Sequence, residues 1–308
     1  MTRDQRIGIF YILTAVTGYS FFAVFTKTLL GEGMAPIDIG LWRFVIAVSI
    51  LWALRLGVGA RQGRLTLPKL PLFWVAVMGV TMALAALAGF FGLERLPSAT
   101  YLVLFYSYPM MAALIEAALG KRLPGIGWVA LTLTLVGVLI AAPDFSAGLT
   151  GENAVGVLIA FVNALVVALY FIISNRVLQG TSDRLGATAM ILTATLIMIG
   201  IVALLMGANM PPTPRAWLLV AALAVVSTVI PVFALNQGIP RLGGAQSGII
   251  SSIEPIMASL LAMVFLGEIM TGAQWAGGLV IVAGIVVLQA PALLTRRKTT
   301  DETPITAP

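Results

Sequence analysis

The chain contains no cysteine and no histidine, and only 10% of its 308 residues are charged. Without cysteine there are no disulfides and no thiolate chemistry, and without histidine the commonest metal ligand and general base of proteins is absent. The hydrophobic fraction is 60%, whereas a soluble domain averages about 45–50% apolar and about 25% charged residues. The composition therefore indicates an integral membrane protein, and neither a metal nor a cofactor is expected.

Long apolar runs fill most of the sequence. A helix needs roughly 20 apolar residues to cross about 30 Å of hydrocarbon, and its backbone groups must be satisfied within the segment. Ten runs predict an all-α fold of ten transmembrane helices, at 7–30, 37–57, 71–93, 98–119, 124–142, 154–178, 185–207, 214–238, 243–266 and 272–294. The first run exceeds the roughly 7–15 residues of a signal-peptide core, which predicts a retained span. The polar segment 295–308 is predicted to be a disordered cytoplasmic tail.

Basic residues predict the orientation. They lie before the first run, after the last and in alternate loops, at Arg3, Arg6, Arg55, Arg61, Arg64, Lys69, Lys121, Arg122, Arg176, Arg184, Arg241, Arg296, Arg297 and Lys298. The opposite loops carry acidic residues, at Glu32, Glu94, Asp144, Glu152 and Glu268. The positive-inside rule places the basic side, and with it both termini, in the cytoplasm. The net charge of +6 therefore reflects topology. The expected partner is the lipid bilayer of a bacterial inner (plasma) membrane, not nucleic acid.

The sequence repeats itself once. Three residues recur 146 positions later, Leu96, Pro109 and Met111 as Leu242, Pro255 and Met257. Three more recur 147 positions later, Gly120, Trp128 and Gly137 as Gly267, Trp275 and Gly284. Each half holds five predicted spans, and because five is odd the second half must enter the bilayer from the opposite side. Residues 1–150 and 151–294 are thus predicted to be two inverted five-helix repeats, which are typical of secondary transporters with a substrate site between the repeats.

Several short features accompany the repeat: Phe25–Thr26–Lys27 closing the first span, Arg43–Phe44 in the second, the midspan prolines Pro109 and Pro255, and Leu266–Gly267–Glu268 before the last span. With them the chain resembles the drug/metabolite transporter (DMT) superfamily, in particular its EamA-domain family. The resemblance covers almost the whole chain and implies a ten-helix carrier that exports small metabolites, amino acids prominent among them. In length and apolar character the chain is most similar to the aromatic and neutral amino acid exporters.

Pro109 and Pro255 lie near the middle of spans four and nine, each directly after a residue at membrane mid-depth, Tyr108 and Glu254. Proline removes a helix hydrogen bond and clashes with the carbonyl four residues back, which favours a kink. The two kinks could be hinges for alternating access, or they could simply bend the helices, since proline is frequent in membrane helices. Their symmetric placement supports the hinge.

Tyr101, Phe105 and Tyr108 follow at i, i+4 and i+7 on one face of span four, and Asn163 and Tyr170 share a face of span six. Hydroxyl groups and rings on one face suit a pocket that stacks apolar side chains and offers hydrogen bonds. The alternatives are an interfacial tyrosine belt at Tyr101 and interhelical hydrogen bonding at Asn163. All five are candidate substrate-binding residues.

Glu254 is the one ionisable residue placed deep in a span, and Ser251 shares its helical face. A charge at the bilayer centre costs roughly 2.5–3.5 kcal/mol on insertion scales, so such a residue is a functional candidate by default. Glu254 could bind the ammonium group of a substrate, exchange protons in an antiport, or be a hydrogen-bonded structural residue. Ser251 and Glu254 join the candidate substrate-binding residues.

Lys27 and Arg43 lie nearer to the outer surface. Lys27 is about 5 Å and Arg43 about 9 Å from the outer ends of their spans at 1.5 Å per residue, whereas Glu254 is about 15 Å deep in a core of roughly 30 Å. The two charges of one zwitterion are too close together to touch Lys27 and Glu254 at once. Lys27 and Arg43 are therefore predicted to be charges at the outer entrance or structural partners of Glu32 or Asp38.

These features predict a secondary carrier that exports a small molecule by alternating access through a central cavity, with an aromatic or large neutral amino acid favoured. Nucleosides, sugars or cationic drugs stay open as substrates. Proton coupling or facilitated diffusion, and a monomer or a homodimer, stay open as well. The inverted repeat disfavours a channel, and the lack of histidine, cysteine and paired buried carboxylates disfavours an intramembrane enzyme.

Overall fold

The computed structural model describes residues 3–301 apart from 63–67, 69, 121–124, 142–151, 179–180, 182, 243–246, 248–249 and 252. The described residues form helices and connecting turns and contain no strand. The helices, numbered in chain order, are α1 (Arg3–Ser20), α2 (Phe22–Gly31), α3 (Pro36–Gln62), α4 (Leu72–Arg95), α5 (Ser98–Phe105), α6 (Tyr108–Ala118), α7 (Gly125–Ala141), α8 (Glu152–Val177), α9 (Arg184–Met206), α10 (Pro214–Ala224), α11 (Ile230–Leu242), α12 (Glu254–Leu266) and α13 (Gly272–Asp301). A π-helical segment, Val225–Val229, joins α10 to α11.

Apolar helices dominate the described residues. Seven helical runs there have the length and composition of a membrane span, and three shorter apolar helices begin at Gly125, Glu254 and Gly272. Together they follow the ten predicted spans in order, with the shorter ones in spans five, nine and ten. The prediction of an all-helical, multi-pass membrane protein is confirmed.

Some of the predictions fall on residues that the structure does not describe. Of the loop residues that predict the orientation, Arg64, Lys69, Lys121, Arg122 and Asp144 lie outside the described residues, and the orientation stays a prediction. Helix α13 continues to Asp301, so helical backbone reaches into the predicted tail at 295–308. Residues 302–308 lie outside the described part.

Three spans are interrupted along their length. The first breaks at Phe21 and the fourth at Tyr106–Ser107. The ninth has a turn at Ile253, between the helical residue Ser251 and the start of α12 at Glu254. Pro109 and Pro255 lie in the first turns of α6 and α12, where the missing N–H of proline is tolerated. The fourth and ninth spans thus break at the places where the prolines predict a kink.

A proline also explains the π-helical segment of the eighth span. Pro231 has no N–H to donate to the carbonyl of Ser227, four residues earlier. The backbone widens there, and the amide of Ile230 donates to the carbonyl of Val225, five residues back. Single π-helical turns of this kind are frequent at functional sites.

Related helix pairs join the two halves of the chain. Helix α1 packs along α11, and α4 packs along α8. A Cβ added at Gly8 would come within 2.8 Å of Leu242, and one added at Gly156 within 2.7 Å of Leu96. Leu96 and Leu242 are matched residues of the sequence repeat, so the duplication produces the same close contact twice. Helices α7 and α13, which are also matched, pack against each other.

Helices α3 and α9 are joined at both ends. Near the end of α3, Arg55 pairs with Asp183, with an Nη2–Oδ2 distance of 2.6 Å. Asp183 also caps α9 by accepting a hydrogen bond from the amide of Gly186 at 2.9 Å. At the start of α3, the carboxylate of Asp38 accepts a hydrogen bond from the amide of Asn209, just beyond α9, at 2.7 Å. The two helices therefore run antiparallel across the interface between the halves.

Candidate functional site

Polar groups of spans one, eight and nine, each of which departs from regular α-helix, meet beside Tyr19. The hydroxyl of Ser227, in the π-helical segment, donates a hydrogen bond to the carbonyl of Gly18 at 2.8 Å. The hydroxyl of Ser20 donates to the carbonyl of Glu254, at the start of α12, at 3.4 Å. Tyr19 lies between these two connections in the chain, and we call this meeting point the junction. Non-helical backbone at membrane depth is tolerated where it is buried in protein or lines a water-filled cavity, so a solute site can be built here.

Glu254 is the acidic group of the junction. It lies in the first turn of α12, where the positive end of the helix dipole favours a negative charge. The hydroxyl of Tyr106 donates a hydrogen bond to its carboxyl group. Glu254 is half-buried, and no Lys or Arg in the described part of the chain pairs with it. Its carboxyl group can therefore accept a cation or a proton from outside the protein.

Tyr19 connects Glu254 with other polar side chains. It interacts electrostatically with Glu254, Tyr108, Tyr170 and Arg43. Tyr19, Tyr108 and Tyr170 are all half-buried, so each keeps some accessible surface. Tyr19 is not among the residues predicted from the sequence, because it belongs to no repeat and to no periodic face. The one signal in the sequence is that Tyr19 and Ser20 form a polar pair within an apolar run.

Aromatic rings extend from the junction along span four and onto span six. Tyr101 and Phe105 stack with ring centroids 6.1 Å apart, and Phe105 and Tyr108 follow at 5.4 Å. Tyr108 stacks on Phe171 at 5.5 Å with an interplanar angle of 10°, and Phe171 contacts Tyr170. The predicted aromatic stripe is therefore continuous with span six, although the helix breaks within the stripe. Phe171 is a second residue that the sequence did not single out.

Tyr101 and Asn163 form a buried pair with almost no accessible surface. Tyr101 is 1% exposed and Asn163 is 3% exposed. The side-chain amide of Asn163 donates a hydrogen bond to the hydroxyl of Tyr101, and the Tyr101 ring leaves no room for a Cβ at Gly92. For these two candidates the structure favours an interhelical contact between α5 and α8 over a place in a pocket.

The remaining candidates lie at the edge of the junction. Ser251 is half-buried and precedes Glu254 by three residues. Pro255 is buried and Pro109 is half-buried. Both prolines follow a helix interruption, as described above, and their role as hinges stays a prediction.

Arg43 is buried and has partners other than the two predicted for it. It is 7% exposed, and its Nε donates to the hydroxyl of Thr228 at 2.9 Å while its Nη2 donates to the carbonyl of Ser227 at 3.3 Å. Neither of its predicted partners, Glu32 and Asp38, pairs with it, because both bind other groups. The long side chain extends inward because the π-helical segment offers acceptors there.

Lys27 also has a different partner from those predicted. It is half-buried and interacts electrostatically with Glu268, an acid of the other half of the chain. Glu268 in turn accepts hydrogen bonds from the hydroxyl of Ser98 at 3.0 Å and from the amide of Ala99 at 3.3 Å, at the start of α5. Lys27 thus belongs to a contact between the halves, separate from the junction.

Known membrane transporters are similar to this chain. The family model of the EamA-like transporter family matches residues 6–142 and again residues 154–289. The uncharacterized transporter YcbK of Bacillus subtilis (strain 168) is 26% identical over 281 residues, which are 86% of this chain and 87% of the relative. The uncharacterized inner membrane transporter YedA of Escherichia coli (strain K12) is 22% identical over 286 residues, 91% of this chain and 89% of the relative. A solved crystal structure shares the fold, with a TM-score of 0.65 and 24% identity over 96% of this chain and 98% of that chain.

Proposed function

The chain belongs to the EamA-like transporter family, and we propose that it is a secondary carrier that exports amino acids with aromatic or large neutral side chains across the inner membrane of a bacterium. The observation that carries the proposal is the environment of Glu254. This acid is half-buried at the start of α12, is hydrogen-bonded by Tyr106, and has no cationic partner among the described residues. An ionised acid at membrane depth needs a compensating charge, and the ammonium group of an amino acid can supply it.

The rings around Glu254 suit the rest of such a substrate. The face of an aromatic ring attracts a cation by about 0.5–2 kcal/mol, and Tyr19 and Tyr108 both interact electrostatically with Glu254. Phe105 and Phe171 extend the aromatic surface beyond Tyr108. An apolar or aromatic side chain can stack on that surface while its ammonium group stays at Glu254.

Alternating access provides the route across the membrane. The related packing of α1 along α11 and of α4 along α8 supports two inverted repeats, at 1–150 and 151–294. The distribution of basic residues supports a cytoplasmic position of both termini. The interruptions before Pro109 and Pro255 allow the two parts of spans four and nine to tilt separately. A substrate held between the repeats is then open to one side of the membrane at a time.

A cationic amphiphile is the second candidate substrate, because the same unpartnered acid favours it. Glu254 would then release a proton as the cation binds, and transport would be a proton antiport. The buried guanidinium group of Arg43 disfavours this alternative. It interacts with Tyr19, and a substrate with only a positive charge would meet it unfavourably.

Flux measurements in proteoliposomes separate these candidates. Purified protein is assayed for counterflow with a panel of amino acids, nucleosides, sugars and cationic drugs, with and without a pH gradient. The proposal predicts saturable counterflow of phenylalanine and leucine, and none of nucleosides or sugars. Counterflow of cationic drugs alone, driven by the pH gradient, would select the second candidate and exclude the first.

A further inference from the structure

Arg43 is a buried cation to which the proposed function assigns no contact with the substrate. We propose that its guanidinium group binds the carboxylate of the substrate and so restricts the carrier to solutes that bear a negative charge beside their ammonium group. This assignment rests on the proposed function, since it places the substrate at the junction. The observation behind it is separate, because it concerns the donors of Arg43 and not the acid at Glu254.

The hydrogen-bonding capacity of Arg43 is only partly used. A guanidinium group has five N–H donors and no acceptor. Two bonds are made, from Nε to the hydroxyl of Thr228 and from Nη2 to the carbonyl of Ser227. The rest of the described chain offers no further acceptor to this side chain, although it is 7% exposed. No nitrogen of Arg43 is among the fully buried, unbonded side-chain atoms of the described residues, so its unused donors keep some accessible surface on which a ligand can bond.

The positive charge of Arg43 is likewise not neutralised. Within the described residues no Asp or Glu pairs with it. Instead the guanidinium carbon lies 5.0, 5.3 and 5.7 Å from the ring centroids of Phe22, Phe44 and Phe90. Aromatic faces stabilise a cation without cancelling its charge. The charge of Arg43 is thus stabilised by dipoles and rings of the fold and is not cancelled by a counter-ion among the described residues.

The fixed bonds of Arg43 also orient the group. The acceptors Ser227 and Thr228 belong to the π-helical segment, and Ser227 also donates to the carbonyl of Gly18. Arg43 is therefore connected through Ser227 to Gly18, the residue that precedes Tyr19. A planar guanidinium fork held in one orientation matches the two oxygens of a carboxylate better than it matches a single acceptor.

Arg43 and Glu254 are both neighbours of Tyr19 and are of opposite charge type. Each interacts electrostatically with Tyr19, and they form no ion pair with each other. A cation and an anion that share one neighbouring side chain are complementary to the carboxylate and ammonium groups of an α-amino acid. Lys27 is too far from Glu254 in depth for one zwitterion to contact both residues. The side chain of Arg43 extends inward to Ser227, so this objection does not apply to Arg43.

Competition with analogues of one substrate tests the assignment. Counterflow of labelled L-phenylalanine is measured in proteoliposomes with unlabelled L-phenylalanine or L-phenylalaninamide as the competitor. The amide keeps the ring and the ammonium group and lacks the carboxylate. Hydrogen bonds to charged groups contribute about 1.5–3 kcal/mol, which is about a tenfold to hundredfold change in affinity. Wild-type protein should therefore bind the amide at least about tenfold more weakly than the acid.

Variants of Arg43 show whether this preference comes from the guanidinium group. Arg43→Gln should bind the acid and the amide about equally, and Thr228→Val, which keeps the charge, should still prefer the acid. If Arg43→Gln does not fold, Arg43→Lys takes its place and should show a reduced preference, because it lacks the fork. Equal competition in the wild type, or an unchanged preference in the Arg43 variant, would overturn the assignment and leave the proposed function standing. Absence of any amino acid flux in the wild type would instead refute the proposed function.

Discussion

The hydroxyl of Tyr106 donates a hydrogen bond to the carboxyl group of Glu254, although the two residues belong to different halves of the duplicated chain. Each lies at a helix interruption, Tyr106 just after α5 and Glu254 at the start of α12. The interruptions of spans four and nine are matched by the repeat, but the residues that they present to each other differ. The bond therefore joins the two copies at mid-depth, where the matched positions Tyr108 and Glu254 carry different residues.

Removing this bond tests whether Tyr106 positions the acid. Tyr106→Phe keeps the ring and deletes the hydroxyl, and a hydrogen bond to a charged group contributes about 1.5–3 kcal/mol. The KM for amino acid transport should rise about tenfold or more, with kcat nearly unchanged. Tyr101→Phe is the matched control, because its hydroxyl bonds to buried Asn163. It should lower the unfolding temperature and leave KM unchanged, and equal kinetic effects of the two variants would argue against a specific role for Tyr106.

The midspan proline of span nine is expected to act in the conformational cycle. Pro255→Ala restores an N–H and removes the clash that favours the interruption before α12. The variant should fold at least as stably as the wild type and transport several-fold more slowly, because the two parts of the span no longer tilt separately. Wild-type turnover in a folded Pro255→Ala protein would exclude the hinge.

The pH dependence of substrate binding should depend on Glu254. Binding of an ammonium group needs the ionised carboxylate, so affinity should fall as the pH decreases and the carboxyl group gains a proton. The groups that face it are Tyr19, Tyr106 and Tyr108, whose hydroxyl groups stay protonated over the same acidic range. In Glu254→Gln the dependence on acidic pH should disappear. A pH profile that is the same in both proteins would assign the titration to another group.

Asp183 should contribute to stability and not to transport. It caps α9 and pairs with Arg55. Asp183→Ala therefore removes a helix cap, which lowers the free energy of unfolding by about 1 kcal/mol, and also removes a partly buried ion pair. The unfolding temperature in detergent should fall measurably. Asp4 pairs with Arg241 at 3.4 Å and is 71% exposed, so Asp4→Ala is the control and should leave the unfolding temperature nearly unchanged. Similar losses in the two variants would mean that burial of the Asp183 pair adds nothing.

The ten helical segments follow from the sequence because their apolar runs are long and are separated by breaker residues. The interruptions at spans four and nine follow from Pro109 and Pro255, because the chemistry of proline is local. The π-helical segment follows from Pro231 in the same way. That Arg43 donates to the carbonyl freed in this segment could not be predicted from the sequence. Which side chain uses the freed carbonyl depends on the packing of two spans that are distant in the sequence.

The predictions for Arg43, Lys27 and Tyr19 show the limit of the sequence in physical terms. Counting residues from a span's end gives the depth of a Cα atom, but it does not say whether a long side chain extends inward or outward. The predicted partners of Lys27 were acids close to it in the sequence. Its neighbour in the structure is Glu268, which belongs to the other half of the chain. Tyr19 has no partner at either repeat offset, so only its position beside Glu254 and Arg43 identifies it.

Equilibrium binding tests the role of Glu254 most directly. Labelled L-phenylalanine is titrated against purified wild-type protein and against Glu254→Gln, in the same detergent and at neutral pH. The wild type should show one saturable site, and Glu254→Gln should bind at least about tenfold more weakly, since it loses a charge-assisted contact. Saturable binding of equal affinity in a folded Glu254→Gln protein would contradict the placement of the substrate at this acid.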